Sequence, residues 1–149
     1  MVINTRDFGE LTINESDIIN FPLGLYGFGD LKRFVLLNDE NSDNDDNSIL
    51  WLQAVDNAFP CLVVLNPADF CEDFSPIISS EDKQFFDTED SGTLSYMAIA
   101  VVNSDVTKTA INLKSPIALD MNKKIGKQIL LENDYPIRYF IFSDSRGGE

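Results

Sequence analysis

Short apolar runs that stop at turn-forming residues constrain this chain more than any other feature. Phe34 to Leu37, Ile49 to Val55, Cys61 to Leu65 and Leu94 to Val102 are too short for buried helices and are bounded by Asn, Asp, Gly, Ser or Pro, so they read as strands. Asp56-Asn57-Ala58-Phe59-Pro60 joins the second run to the third, and its Asp-Asn and Pro favour a turn, which makes that pair a hairpin. Glu10 to Asn14 alternates with a period of two, placing Leu11 and Ile13 on one face of a strand. Ala110 to Leu113, Ile117 to Leu119, Lys127 to Leu131 and Arg138 to Phe142 complete a set of about nine strands.

The one convincing helix lies in Pro76 to Asp87. Ser79 or Ser80 can cap it, Glu81 and Asp82 suit its positive end, and Phe85 with Phe86 would anchor it. The fold class expected is therefore mainly all-β, a barrel or sandwich with one short helix. Phe21-Pro22-Leu23-Gly24-Leu25-Tyr26-Gly27-Phe28-Gly29 reads as a packed, turning loop whose aromatics plug the edge of the core. A length of 149 residues suits one domain over 1–149, and 44% hydrophobic residues can offset the entropy of ordering it.

Charge excludes several function classes. Twenty-five acidic against eleven basic residues leave a net charge of −14, which repels nucleic-acid phosphates and anionic membrane surfaces. The excess is uneven: residues 1 to 107 carry 20 acids and 4 bases, so a basic partner would favour that part. No direct nucleic-acid or membrane binding is expected. Arg6, Asp7 and Glu10 interrupt the stretch where a signal peptide needs its apolar core, so a cytoplasmic protein is expected.

Chemistry is hard to find. The absence of histidine removes the commonest general base and metal ligand together. Ser80-Glu81-Asp82-Lys83 matches SxxK and Ser42-Asp43-Asn44 matches SDN, but SDN comes first and Lys108-Thr109-Ala110 stands where KTG belongs. Asp43, Asp45 and Asn47 have the opening spacing of a calcium loop, whose sixth and twelfth positions are then Ser48 and Ala54 instead of Gly and Glu. Asn38 to Ser48 reads as a solvated acidic loop. Cys61 and Cys71 read as structural thiols. No cofactor and no metal ion are expected, and the protein is read as a non-enzyme.

A longer series of motifs runs through the whole chain. It comprises Phe8-Gly9-Glu10-Leu11, Asp17-Ile18-Ile19-Asn20-Phe21-Pro22-Leu23-Gly24-Leu25, Gly27-Phe28, Phe34-Val35-Leu36-Leu37 and Trp51-Leu52-Gln53. Asn66-Pro67, Asn112-Leu113-Lys114-Ser115-Pro116-Ile117, Gly126-Lys127-Gln128 and Tyr135-Pro136-Ile137-Arg138 continue it. In these motifs, their order and their spacing, the chain resembles the FliW family. Two departures are the acidic stretch Asn38 to Ser48, longer than usual, and Phe140-Ile141-Phe142, beyond the point where many relatives end.

The resemblance implies a compact antiparallel β-barrel-like fold and a cytoplasmic flagellar assembly factor. It also implies two protein partners, flagellin and the RNA-binding translational repressor CsrA, exchanged so that the factor relieves repression of flagellin synthesis when flagellin releases it. A monomer when free is expected. For partner contact, Asn14 and Glu15 follow the alternating strand and Asp56 and Asn57 occupy a turn, so all four should be exposed. Ile13 beside them would supply an apolar anchor unless the core takes it up. Gln53, Asn112 and Gln128 are candidates for satisfying backbone groups inside the barrel. The alternatives are a β-barrel hydrolase using a carboxylate pair, which needs a concave site with raised carboxyl pKa values, and a structural subunit, which needs a large apolar patch.

Overall fold

In a computed structural model, the structure describes residues 1–142 apart from 7, 39–48, 90 and 103. Of the acidic stretch Asn38 to Ser48 only Asn38 is described, so the SDN match and the opening of the calcium-like spacing lie outside the described residues. The strands are β1 (Val2–Thr5), β2 (Gly9–Thr12), β3 (Ile19–Asn20), β4 (Arg33–Leu37), β5 (Ile49–Ala54) and β6 (Cys61–Leu65). After helix α1 (Ser80–Phe86) come β7 (Ser95–Val101), β8 (Ala110–Ile111), β9 (Ile117–Asp120), β10 (Ile125–Gln128) and β11 (Tyr139–Phe140).

Strands β4, β5, β6 and β7 form an antiparallel meander, with β5 and β6 the expected hairpin. β7 then pairs with β9, β9 with β10, β10 with β3 and β3 with β4, which closes seven strands into a barrel. The fold class expected from the sequence holds. One junction differs from a purely antiparallel barrel: β10 meets β3 in parallel, at Ile125 and Asn20.

Closure depends on the Asn112 to Ile117 motif. β8 and β9 both run antiparallel to β7 on the same side, pairing Ile111 with Ala100 and Ile117 with Met97. Five residues, 112 to 116, therefore stand opposite two of β7, so the chain bulges away from the ladder there. Asn112 Oδ1 accepts from Ser115 N at 2.9 Å, Gln128 Nε2 donates to Ser115 O at 3.3 Å, and Lys114 Nζ donates to Asn133 O at 2.5 Å. Gln128 Oε1 also accepts from Tyr26 N at 3.0 Å, which ties the glycine-rich loop to the same junction. Asn112 and Gln128 thereby satisfy the N–H and C=O of Ser115, which the bulge removes from the ladder.

The barrel is filled by Ile19, Phe21, Leu25, Phe34, Leu52 and Val64, with Phe21 and Phe34 edge to face at 5.2 Å. Gly24, at φ +69°, lets the Phe21 to Gly29 loop fold onto itself: a Cβ there would lie 2.6 Å from Gly29 Cα. α1 closes another side, with Ser79 Oγ accepting from Asp82 N at 3.1 Å and Phe86 fully buried. Asp82, 6% exposed, bonds Lys127 of β10 at 2.6 Å, and Lys127 also lies 5.3 Å from the Phe85 ring.

Candidate protein-binding face

The antiparallel ribbon β1–β2 lies over the outer face of β4 and β5. Alternation sends Phe34 into the barrel and its neighbour Val35 outward, where Val35 and Val55 pack with Ile3, Ile13 and Ile18. Phe8 meets Trp51 edge to face at 5.5 Å, Arg6 N donates to Ala58 O at 3.2 Å, and the Arg6 guanidinium lies 4.7 Å from the Phe59 ring. The ribbon is thereby fixed to the β5–β6 turn. Beneath it Gln53 is fully buried, donating to Ala54 O and Ala58 O at 3.0 Å and to Asn57 O at 3.4 Å. That side chain holds the turn in shape from below, but from the outer face of β5 and not from inside the barrel as expected. Its Oε1 is left buried without a hydrogen-bond partner among the described residues.

Arg33 organises the polar part of this face. Its Nε donates to Asp56 Oδ2 at 2.9 Å and its Nη2 donates to Asp56 Oδ1, a two-point clamp. The hydrogen bond from Arg33 holds the Asp56 carboxyl below its usual range, with the attraction of the same charge adding to it. Arg33 is in turn held above its ordinary value, first by its hydrogen bond to Asp56 and further by the charges of Asp56 and Glu15. Asp56 clamps Arg33 directly, and Glu15, distant from it in sequence, adds only its charge from nearby.

Beside Arg33 a groove of about 440 Å³ runs between β2 and the end of β4. Leu11, Ile13, Val35 and Leu37 form its apolar part, and Thr12, Asn14, Asp17 and Asn38 its polar part. Among the described residues no basic side chain lines it.

The expected contact residues divide accordingly. Asn14, Glu15, Asp56 and Asn57 are exposed: Asn14 lines the groove, Asp56 clamps Arg33, Glu15 adds its charge near Arg33, and Asn57 follows Asp56 in the β5–β6 turn. Ile13 is the correction: instead of standing out as an anchor it is 8% exposed among Ile3, Ile18, Val35 and Val55. The alternation that pairs it with Leu11 turns both toward the barrel, so it reaches the surface only as a wall of the groove. Arg33, Thr12, Asp17 and Leu36 escaped sequence reasoning. Lys32-Arg33, the one pair of adjacent bases within the strongly acidic residues 1–107, was the available signal for Arg33.

The Ser80 and Lys83 of the SxxK match lie one turn apart on α1, in an open polar depression of about 360 Å³ with Gln84, Asp87, Thr88 and Glu89. Ser80 is exposed as the first residue of the helix, next to the capping Ser79. Among the described residues no three His, Cys, Asp or Glu side chains are grouped to hold a metal ion, and no helix is long and apolar enough to cross a membrane.

Comparison with known proteins places this arrangement in a family. The model of the family described as FliW protein matches residues 2–141. Among similar proteins is the flagellar assembly factor FliW of Ruminiclostridium cellulolyticum, 32% identical over 97% of this chain and 96% of its own. That of Caldanaerobacter subterraneus is 35% identical over 97% and 95%. A crystal structure of the flagellar assembly factor FliW superposes with a TM-score of 0.84 at 25% identity, covering 95% of this chain and 97% of that one. With the motif series, the closed barrel and these matches in agreement over nearly its whole length, the chain belongs to the FliW family.

Proposed function

We propose that this protein is a cytoplasmic flagellar assembly factor that acts by binding flagellin and, in its place, the translational repressor CsrA. The observation that carries this reading is the face around Arg33. It exposes Asn14, Glu15, Asp56 and Asn57 beside an apolar groove, and its Arg33 is already clamped by Asp56. Such a surface suits a basic partner with apolar side chains.

A repressor that binds RNA must present positive charge to phosphates. A body of net charge −14 docked near that surface lowers the local potential and weakens RNA binding, even without covering the RNA site. Flagellin held on the protein would keep CsrA free, and loss of flagellin by export would release the protein to CsrA.

The test is calorimetric titration with CsrA and with flagellin from the same organism at two salt concentrations. Saturable CsrA binding that weakens with salt and is blocked by flagellin supports the exchange. Absence of binding to either partner refutes it, and unchanged RNA affinity of the CsrA complex refutes the electrostatic account.

A further inference from the structure

We propose that the groove between β2 and β4 takes an extended segment of a partner protein, which adds as a strand against open backbone edges while its alternate apolar side chains enter the groove and a Lys or Arg meets Asp17. The proposal deepens the binding role above, on which it rests, by naming the surface and the form in which a partner is read.

The edges follow from the register. Ile13 N donates to Met1 O at 2.8 Å and the Met1 amino group to Ile13 O at 3.3 Å, so Met1 and Ile13 are a hydrogen-bonded pair. Residues alternate along an antiparallel ladder, so Thr12, paired across from Val2, turns its N–H and C=O away from β1. In β4, Val55 N donates to Arg33 O at 3.0 Å, which makes Arg33, Val35 and Leu37 the residues bonded to β5. Leu36 therefore turns its N–H and C=O to the other side, where β3 has already ended: Phe34 is opposite Ile19, and β3 spans only Ile19–Asn20. Thr12 and Leu36 both line the groove. Two walls thus offer main-chain groups to one slot, the requirement for strand addition.

The remaining chemistry selects the occupant. Leu11, Ile13, Val35 and Leu37 give an apolar surface to side chains at every second position of a strand. Asp17 is the charged residue of the lining among the described residues and Glu15 follows Asn14 at its end, so the groove favours a cation. A second copy of this chain, itself at −14, is the wrong partner electrostatically.

The experiment uses the isotope-labelled full chain, with intact flagellin and CsrA and overlapping peptides of about fifteen residues from each, enough to span a strand at about 3.3 Å per residue. The result expected is one basic, alternating apolar segment that slows amide exchange at Thr12 and Leu36 and shifts Leu11 to Asp17 and Val35 to Asn38. Thr12→Pro removes the outward N–H without touching the bonds of Leu11 and Ile13 to β1 and should weaken that segment about tenfold, whereas Thr12→Val keeps the N–H and should change it less than about twofold. Asp17→Lys, a surface change independent of the backbone, should also weaken it several-fold. Binding of an intact partner with the Thr12 and Leu36 amides unaffected overturns the strand proposal alone, as does concentration-dependent self-association that occupies the groove. Failure of both intact partners to bind refutes the functional reading and this proposal with it.

Discussion

Replacing Gly126 by Ala tests the barrel closure directly. Gly126 sits in β10, the strand that closes the barrel against β3, and a Cβ there would stand 2.7 Å from Phe21 Cε2 and Cζ and 2.8 Å from Leu119 Cδ2. Ordinary contact begins near 3.4 Å, so the Phe21 ring would have to retreat by about 0.7 Å. It has nowhere to go: Phe21 is fully buried and braced by the Phe34 ring at 5.2 Å. Overpacking of this kind costs about 1–3 kcal/mol, and the braced ring puts this site toward the upper half, about 2 kcal/mol. For a chain of this size that lowers the melting temperature by about 4–8 °C. Thermal unfolding followed by circular dichroism measures it. Phe21→Leu alone should also destabilise by leaving a cavity, but in the double variant the methyl group enters that space, so the two losses should fall short of additive by about 1 kcal/mol. A Gly126→Ala melting temperature within about 1 °C of the parent, or strict additivity, would refute this reasoning.

Other outcomes follow from the ion pairs and the face. Asp82→Ala strands Lys127, 16% exposed, without its partner, and should cost about 3 kcal/mol in urea unfolding; Lys127→Ala should cost a similar amount. Arg33 and Asp56 are 39% and 47% exposed, so their pair should be worth no more than about 1 kcal/mol. Its pH dependence has a definite sign. The folded carboxyl titrates below its unfolded value, so the contribution is present above the unfolded value and is lost as pH falls through the folded one. Carbon-detected titration of Asp56 should show the low value, returning to the ordinary range in Arg33→Gln. Combining Glu15→Lys with Asp56→Lys should weaken CsrA binding and flatten its salt dependence, measured by calorimetry, while leaving the barrel core untouched.

Much of the architecture could be read locally. The period of two through Glu10 to Asn14 put Leu11 and Ile13 on one face, and both do pack in the same cluster. Ser79 capping α1 and the hairpin of β5 and β6 follow from residues only a few positions apart. The exposure of Asn14, Glu15, Asp56 and Asn57 was equally open to local reasoning, since polar residues at turns stay in water.

The amino-acid sequence by itself determined the strand-rich class, the single capped helix, the acidic balance and, through its motifs, the family. Tertiary structure alone decided that Ile13 is covered by Val35 and Val55, that Glu15 and Asp56 converge on Arg33, and that the 112 to 116 bulge and the parallel β3–β10 pair close the barrel. It alone decided, too, that Thr12 and Leu36 turn their backbone groups into one groove. Periodicity and capping are properties of neighbours along the chain, whereas register, closure and the meeting of distant side chains depend on which strands pair, and that is set by the packing of the whole core.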